Sequence, residues 1–145
     1  MKILLCVDLS ENSQAAFRAV AGQYHPNETE VRVLHVLQPV TLSAAPQMSP
    51  MYTPELQEEG AEARRLADRI AGELRNAGFR AEPVLAKGDV RETIVNTAAE
   101  WNADLIVVGS RGKGGLRRLL LGSAAEFVAR HAPCSVLIVR PNAAR

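Results

Sequence analysis

Hydrophobic positions fall along the chain in two alternating textures: short continuous apolar runs, and longer stretches where apolar residues recur every three or four positions. The short runs are "KILLCVD" (2–8), "EVRVLHVLQ" (30–38), "RAEPVLAK" (80–87), "ADLIVVGS" (103–110) and "CSVLIVR" (134–140). Several are apolar without interruption, as strands are when both faces of a parallel sheet are covered. Between them, helical spacing predicts a helix over 11–23, N-capped by Ser10 and burying Ala15, Ala16, Ala19 and Val20. Thr53 followed by Pro54 marks the start of a long helix that Gly78 stops. Asp89 and Glu92 form a capping box for a helix over 90–101, and a last helix starts at Gly122–Ser123 and ends near His131.

Strand and helix thus alternate as βαβαβαβαβ, which predicts an α/β fold: an open, five-stranded parallel sheet wound on both sides by four helices. At 145 residues the chain is expected to form one domain over 1–145. The segment 39–53 holds three prolines and reads as an irregular loop, long enough to serve as a flap beside a pocket.

Composition adds mostly exclusions. A 47% hydrophobic, 23% charged chain of net charge +1 reads as an ordinary globular protein with no whole-molecule attraction to nucleic acid or anionic membranes. Cys6 and Cys134 both sit in apolar runs without Cys/His spacing and read as buried reduced thiols. The apolar run before Asp8 is too short for a signal-peptide core or a membrane span, so a cytoplasmic location is expected. His25, His35 and His131 share no metal-ligand spacing, and no metal-binding residues are predicted.

In a doubly wound sheet, ligands sit at the carboxyl ends of the strands where the winding reverses. With strand order 3-2-1-4-5, that point lies between the first and fourth strands, where Asp8 and Gly109 face one crevice. Behind Gly109 runs "GSRGKGGLRRLLLGSAAE", with five glycines and four basic residues. Glycine lets backbone N–H groups approach an anion, and the following helix start adds unpaired donors. The stretch fits neither GxxxxGK[ST] nor GxGxxG.

It does fit Gly-x2-Gly-x9-Gly-Ser, through Gly109, Gly112, Gly122 and Ser123. With "CVDLSENSQAAFRAV", "VLHV", "KGDVRETIVNTAAEWNADLIVVGSRGKGG" and "LGSAAEFVARHAPCSVLIVR", the chain resembles the universal stress protein family over nearly its whole length. The resemblance implies a Rossmann-like domain of the ATP-binding branch, with ATP, alone or with Mg2+, as ligand. It implies that Asp8 and Leu9 reach the adenosine and that Val36, Ala86 and Gly88, within 86–89, wall the adenine. Gly109, Arg111, Gly112 and Lys113 border ribose and first phosphates; Gly122, Ser123 and Ala124 hold the distal phosphates. It further implies a homodimer through the last strand, 135–140, an apolar edge open to pairing.

Two positions depart from the family pattern. Ala125 stands where a hydroxyl residue is common, and Ser135 replaces a usual proline. No nucleophile with its base is recognisable, so the chain reads as a regulatory ATP-binding protein of the general stress response rather than an enzyme. A slow ATPase or nucleotidyl-transfer enzyme using the same site, and an interaction module that no longer binds nucleotide, are the alternatives.

Overall fold

A computed structural model describes residues 1–39, 54–111 and 121–141. Of the segment read as a flap, 39–53, all but Pro39 therefore lies outside the described residues. The elements follow in the order β1 (Lys2–Cys6), α1 (Asn12–Gln23), a short 3-10 turn (Pro26–Glu28), β2 (Glu30–Leu37), α2 (Pro54–Asn76), β3 (Arg80–Lys87), α3 (Val90–Trp101), β4 (Leu105–Gly109), α4 (Ser123–His131) and β5 (Ser135–Val139). All five strands are parallel, in the order β3-β2-β1-β4-β5. β1 lies at the centre, pairing Ile3 with Val31 on one side and with Leu105 on the other.

Alternate residues of each strand build the two layers. Ile3, Leu5, Val31, Val33 and Val107 pack against α1 and α2, where Ala67, Ile70, Ala71 and Leu74 repeat at helical spacing. Leu4, Leu34, Ile106 and Val108 point the other way, onto Ile94, Ala98 and Trp101 of α3 and Ala125 and Val128 of α4. Each fully buried aliphatic side chain contributes about 1.5–3 kcal/mol, so both faces of the sheet are essential to its stability. His35 is buried, and its Nδ1–H donates to the Val7 carbonyl at 3.0 Å. Among the described residues no helix is long and apolar enough to cross a membrane.

The local signals differ in outcome. Pro54 opens α2, and Gly78 ends that segment at φ +97°, with the Phe79 N–H closing back on the Leu74 carbonyl at 3.0 Å. Ser10, expected at the N-cap, lies one residue before it: Glu11 holds that position in helical geometry without a side-chain bond. The Ser10 hydroxyl donates to Asp8 Oδ1 and still accepts from the first-turn Asn12 N–H at 3.3 Å. α1 begins at Asn12, where the expected helix began at 11, and buries Asn12, Ser13, Ala16 and Val20, while Ala15 and Ala19 are only half-buried. β1 also stops at Cys6, so Asp8 stands just past the strand, although the Val7 N–H still reaches the Leu34 carbonyl at 2.9 Å.

Asp89 caps α3 as expected, its Oδ1 accepting from the Glu92 N–H at 3.1 Å. That backbone donor, against a desolvation penalty and with help from the nearby Arg91 guanidinium, holds the Asp89 carboxyl below its ordinary range. A lowered folded-state pKa stabilises above the unfolded value and is lost as pH falls through the folded one. Thermal melts should therefore show Asp89→Ala melting below wild type at pH 7 and the gap narrowing toward pH 3. A gap independent of pH would show that the ionised cap is not what stabilises α3.

Candidate functional site

The winding reverses between β1 and β4, and a cleft of about 700 Å³, including its open mouth, lies at their carboxyl ends. Its walls come from several elements. The β1–α1 turn brings Asp8, Asn12 and Ser13; the end of β4 brings Val108, Gly109 and Arg111; the start of α4 brings Gly122 and Ser123 to Ala125. An apolar side is formed by Cys6, Leu34 and Val36 of the sheet with Val90 and Ile94 of α3.

The β1–α1 turn is tied by its own side chains. Asp8 Oδ1 accepts from the Ser10 N–H at 2.9 Å and from the Ser10 hydroxyl, while the Ser13 hydroxyl donates to the Asp8 carbonyl at 2.6 Å and accepts from the Asp8 N–H at 2.7 Å. This is an Asx-type turn, so Asp8 has a structural role as well as a place on the cleft wall. Its second oxygen, Oδ2, has no partner among the described residues.

Across the cleft, Gly109 touches the first turn of α1. A β-carbon there would stand 2.5 Å from Asn12 Cβ, so only glycine allows α1 to approach the end of β4 this closely. Asn12 Nδ2 then donates to the Arg111 carbonyl, which directs the chain as it leaves the sheet. The chain returns to the same spot, because the Gly122 N–H donates to the Ser110 carbonyl at 2.7 Å and the Ser110 N–H to Val139 at 2.8 Å.

α4 begins without a side-chain cap, and its first intrahelical bond runs from the Glu126 N–H to the Gly122 carbonyl at 3.0 Å. The N–H groups of Ser123, Ala124 and Ala125 precede that bond and stand at the positive end of the helix dipole, on the cleft wall. Such an end accepts an anion without any basic side chain. Ala125 is buried at 2% exposure among the core residues behind the cleft, so its methyl packs inward while its N–H belongs to the free helix end.

Of the residues singled out in the sequence, the fold brings Asp8, Val36, Gly109, Arg111, Gly122, Ser123 and Ala124 onto this one cleft. Leu9 lines a neighbouring groove between α1 and α2, beside Arg65 and Arg69. Ala86 pairs with Val36 across β2 and β3 and packs into the core, outside the cleft lining. Gly88 turns β3 into α3 at φ +144°, a conformation that a side chain would strain, and it too stands off the wall. Gly112 and Lys113 lie outside the described residues. Sequence reasoning passed over Cys6, Asn12, Val90 and Ile94. The i, i+4 pair Val90 and Ile94 could have been read as the inward stripe of α3, whereas nothing local marks Asn12.

Among the described residues there is no group of three or more His, Cys, Asp or Glu able to hold a metal ion. Burial, and secondarily the Asp8 charge, push the Cys6 thiol well above its ordinary 9.0, so it meets a ligand as a neutral group. A raised folded-state pKa leaves stability intact below the unfolded value and erodes it above, because only the unfolded chain then releases the proton. Urea midpoints measured from pH 8 to 10.5 should fall more steeply for wild type than for Cys6→Ala, with this thiol adding at most about 1.4 kcal/mol per pH unit. Parallel profiles would show that Cys6 ionises as freely in the folded protein as in the unfolded one.

Gly109→Ala should destabilise the protein by about 1–3 kcal/mol in urea titration, since the new methyl forces α1 off β4. An unchanged midpoint would contradict the close approach.

A sequence profile described as "Universal stress protein family" matches residues 1–140. The universal stress protein YxiE of Bacillus subtilis (strain 168) is 31% identical over 145 residues, covering 96% of this chain and 98% of YxiE. Among solved structures, the universal stress protein UspA from Lactobacillus plantarum superposes with a TM-score of 0.86 at 26% identity, covering 97% of each chain. The universal stress protein from Archaeoglobus fulgidus in complex with dAMP shares the fold at a TM-score of 0.69 and 24% identity, covering 96% of this chain and 97% of that one.

Proposed function

The chain belongs to the universal stress protein family, and from that premise we propose that it is an ATP-binding regulatory protein of the general stress response. The observation that carries this reading is the start of α4, where Gly122 provides no side-chain cap and Ser123 to Ala125 line the same cleft as the apolar Val36, Val90 and Ile94. A nucleotide has the matching polarity: a flat apolar base at one end, an anion at the other, and a hydroxylated sugar between. The base packs beside Val36, Val90 and Ile94, and the phosphates meet the N–H groups of Ser123 to Ala125 with the Ser123 hydroxyl. Asp8, Gly109 and Arg111 flank the middle. The dAMP held by the Archaeoglobus fulgidus protein supports an adenine nucleotide as the ligand class. Gly112 and Lys113, from the same glycine motif, join the phosphate end in this reading.

ATP supplies the triphosphate, and Mg2+, where present, is held chiefly by phosphate oxygens, since the described residues offer no acidic cluster for it. Binding is proposed over turnover because no nucleophile paired with a base is recognisable in the sequence. The single domain is proposed to work in the cytoplasm as a homodimer. β5 supports that assembly: it is the edge of the sheet, and Val136 to Val139 remain half-exposed along it.

Isothermal calorimetry should give micromolar binding of ATP to the wild-type protein. Gly122→Val and Ser123→Glu should each weaken it by at least about ten-fold, or about 1.4 kcal/mol, while the circular dichroism spectrum stays unchanged. No heat with ATP, ADP or AMP would overturn the reading.

A further inference from the structure

Asn12 is 7% exposed, yet its side chain has only half its hydrogen bonds. Nδ2 donates to the Arg111 carbonyl and to the Ser10 hydroxyl at 3.3 Å, whereas Oδ1 is buried with no partner. The amide cannot be turned over to relieve this, because Oδ1 would then face the Arg111 carbonyl, oxygen against oxygen. Nor can Ser10 satisfy it: its one hydroxyl proton goes to Asp8 Oδ1. A buried acceptor without a donor is uncommon and costly, and this one belongs to a residue on the cleft wall.

The same bookkeeping extends to its neighbour. Asp8, Ser10 and Asn12 form one chain of hydrogen bonds in which the polar hydrogens are all used, leaving Asp8 Oδ2 and Asn12 Oδ1. The two unused groups are both acceptors, one of them buried, and each lacks a hydrogen-bond donor, which a phosphate oxygen does not supply. Asp8 and Asn12 line the same cleft as the apolar side and the start of α4, and the proposed ligand carries its hydroxyls on the sugar between base and phosphates.

Building on the nucleotide reading above, we infer that Asn12 is a specificity-determining residue whose Oδ1 accepts a hydrogen bond from a ribose hydroxyl. A site built to pair a hydroxyl discriminates strongly against a ligand lacking it, because the buried acceptor is then left unpaired. The amide serves two purposes at once: Nδ2 fixes the exit of β4 and Oδ1 reads the sugar.

Calorimetric titration of wild type and Asn12→Ala with ATP, 2′-deoxy-ATP and 3′-deoxy-ATP tests this. Wild type should bind at least one deoxy analogue about ten-fold more weakly than ATP, and Asn12→Ala should bring that ratio close to one. Asn12→Leu, which keeps the branched shape against Gly109 while removing both polar atoms, should do the same and serves if the alanine variant is unstable. A purely structural Asn12 would weaken all three nucleotides alike and leave the ratio unchanged, which overturns the inference. So does a wild type that binds all three equally well. If wild type binds none of them, the nucleotide reading itself falls, and the inference with it.

Discussion

The contact between Gly109 and Asn12 is the constraint on which the cleft depends. Because residue 109 has no β-carbon, the first turn of α1 can lie against the end of β4. Asn12 is then near enough for its amide to hold the Arg111 carbonyl. That bond links the two segments flanking the reversal of winding, and the Gly122–Ser110 hydrogen bond brings α4 to the same place. Close packing thus converts a general property of doubly wound sheets, a gap at the switch point, into a cleft with defined walls.

Those walls are chemically graded in a way that follows from the fold. The apolar side is continuous with the core between the sheet and α3, where Leu34 and Ile94 are buried. Another part of the lining is the start of α4, a helix end without a side-chain cap. The β1–α1 turn contributes oxygen acceptors. Positive side chains are not needed to attract the phosphate end, which is consistent with a chain of net charge +1.

Much of the architecture was legible because its signals are local. The unbroken strands, Pro54 at the head of α2, Gly78 at its end and Asp89 at the cap of α3 each act within a few residues, and α3 and α4 match their expected limits. The glycine spacing likewise singled out Gly109, Gly122 and Ser123, which the fold brings to one cleft. Ser10 stands one residue before the N-cap position, tied to the Asp8 carboxylate two residues away while its oxygen still accepts from the Asn12 N–H, a shift that propensity alone does not register. Asn12 was illegible for a different reason. Its significance arises from residues 109 and 111, almost a hundred positions downstream, and only the β1–β4 pairing brings them together.

The claim that an adenine nucleotide spans this graded cleft is tested most directly by backbone amide NMR of the isotope-labelled protein during ATP titration. Binding as described predicts saturable shifts of the Ser123, Ala124 and Ala125 amides, together with Val36 and Val90 on the apolar side and the Asn12 side-chain NH2. Shifts confined to surfaces away from the ends of β1 and β4, or no shifts at all, would contradict it.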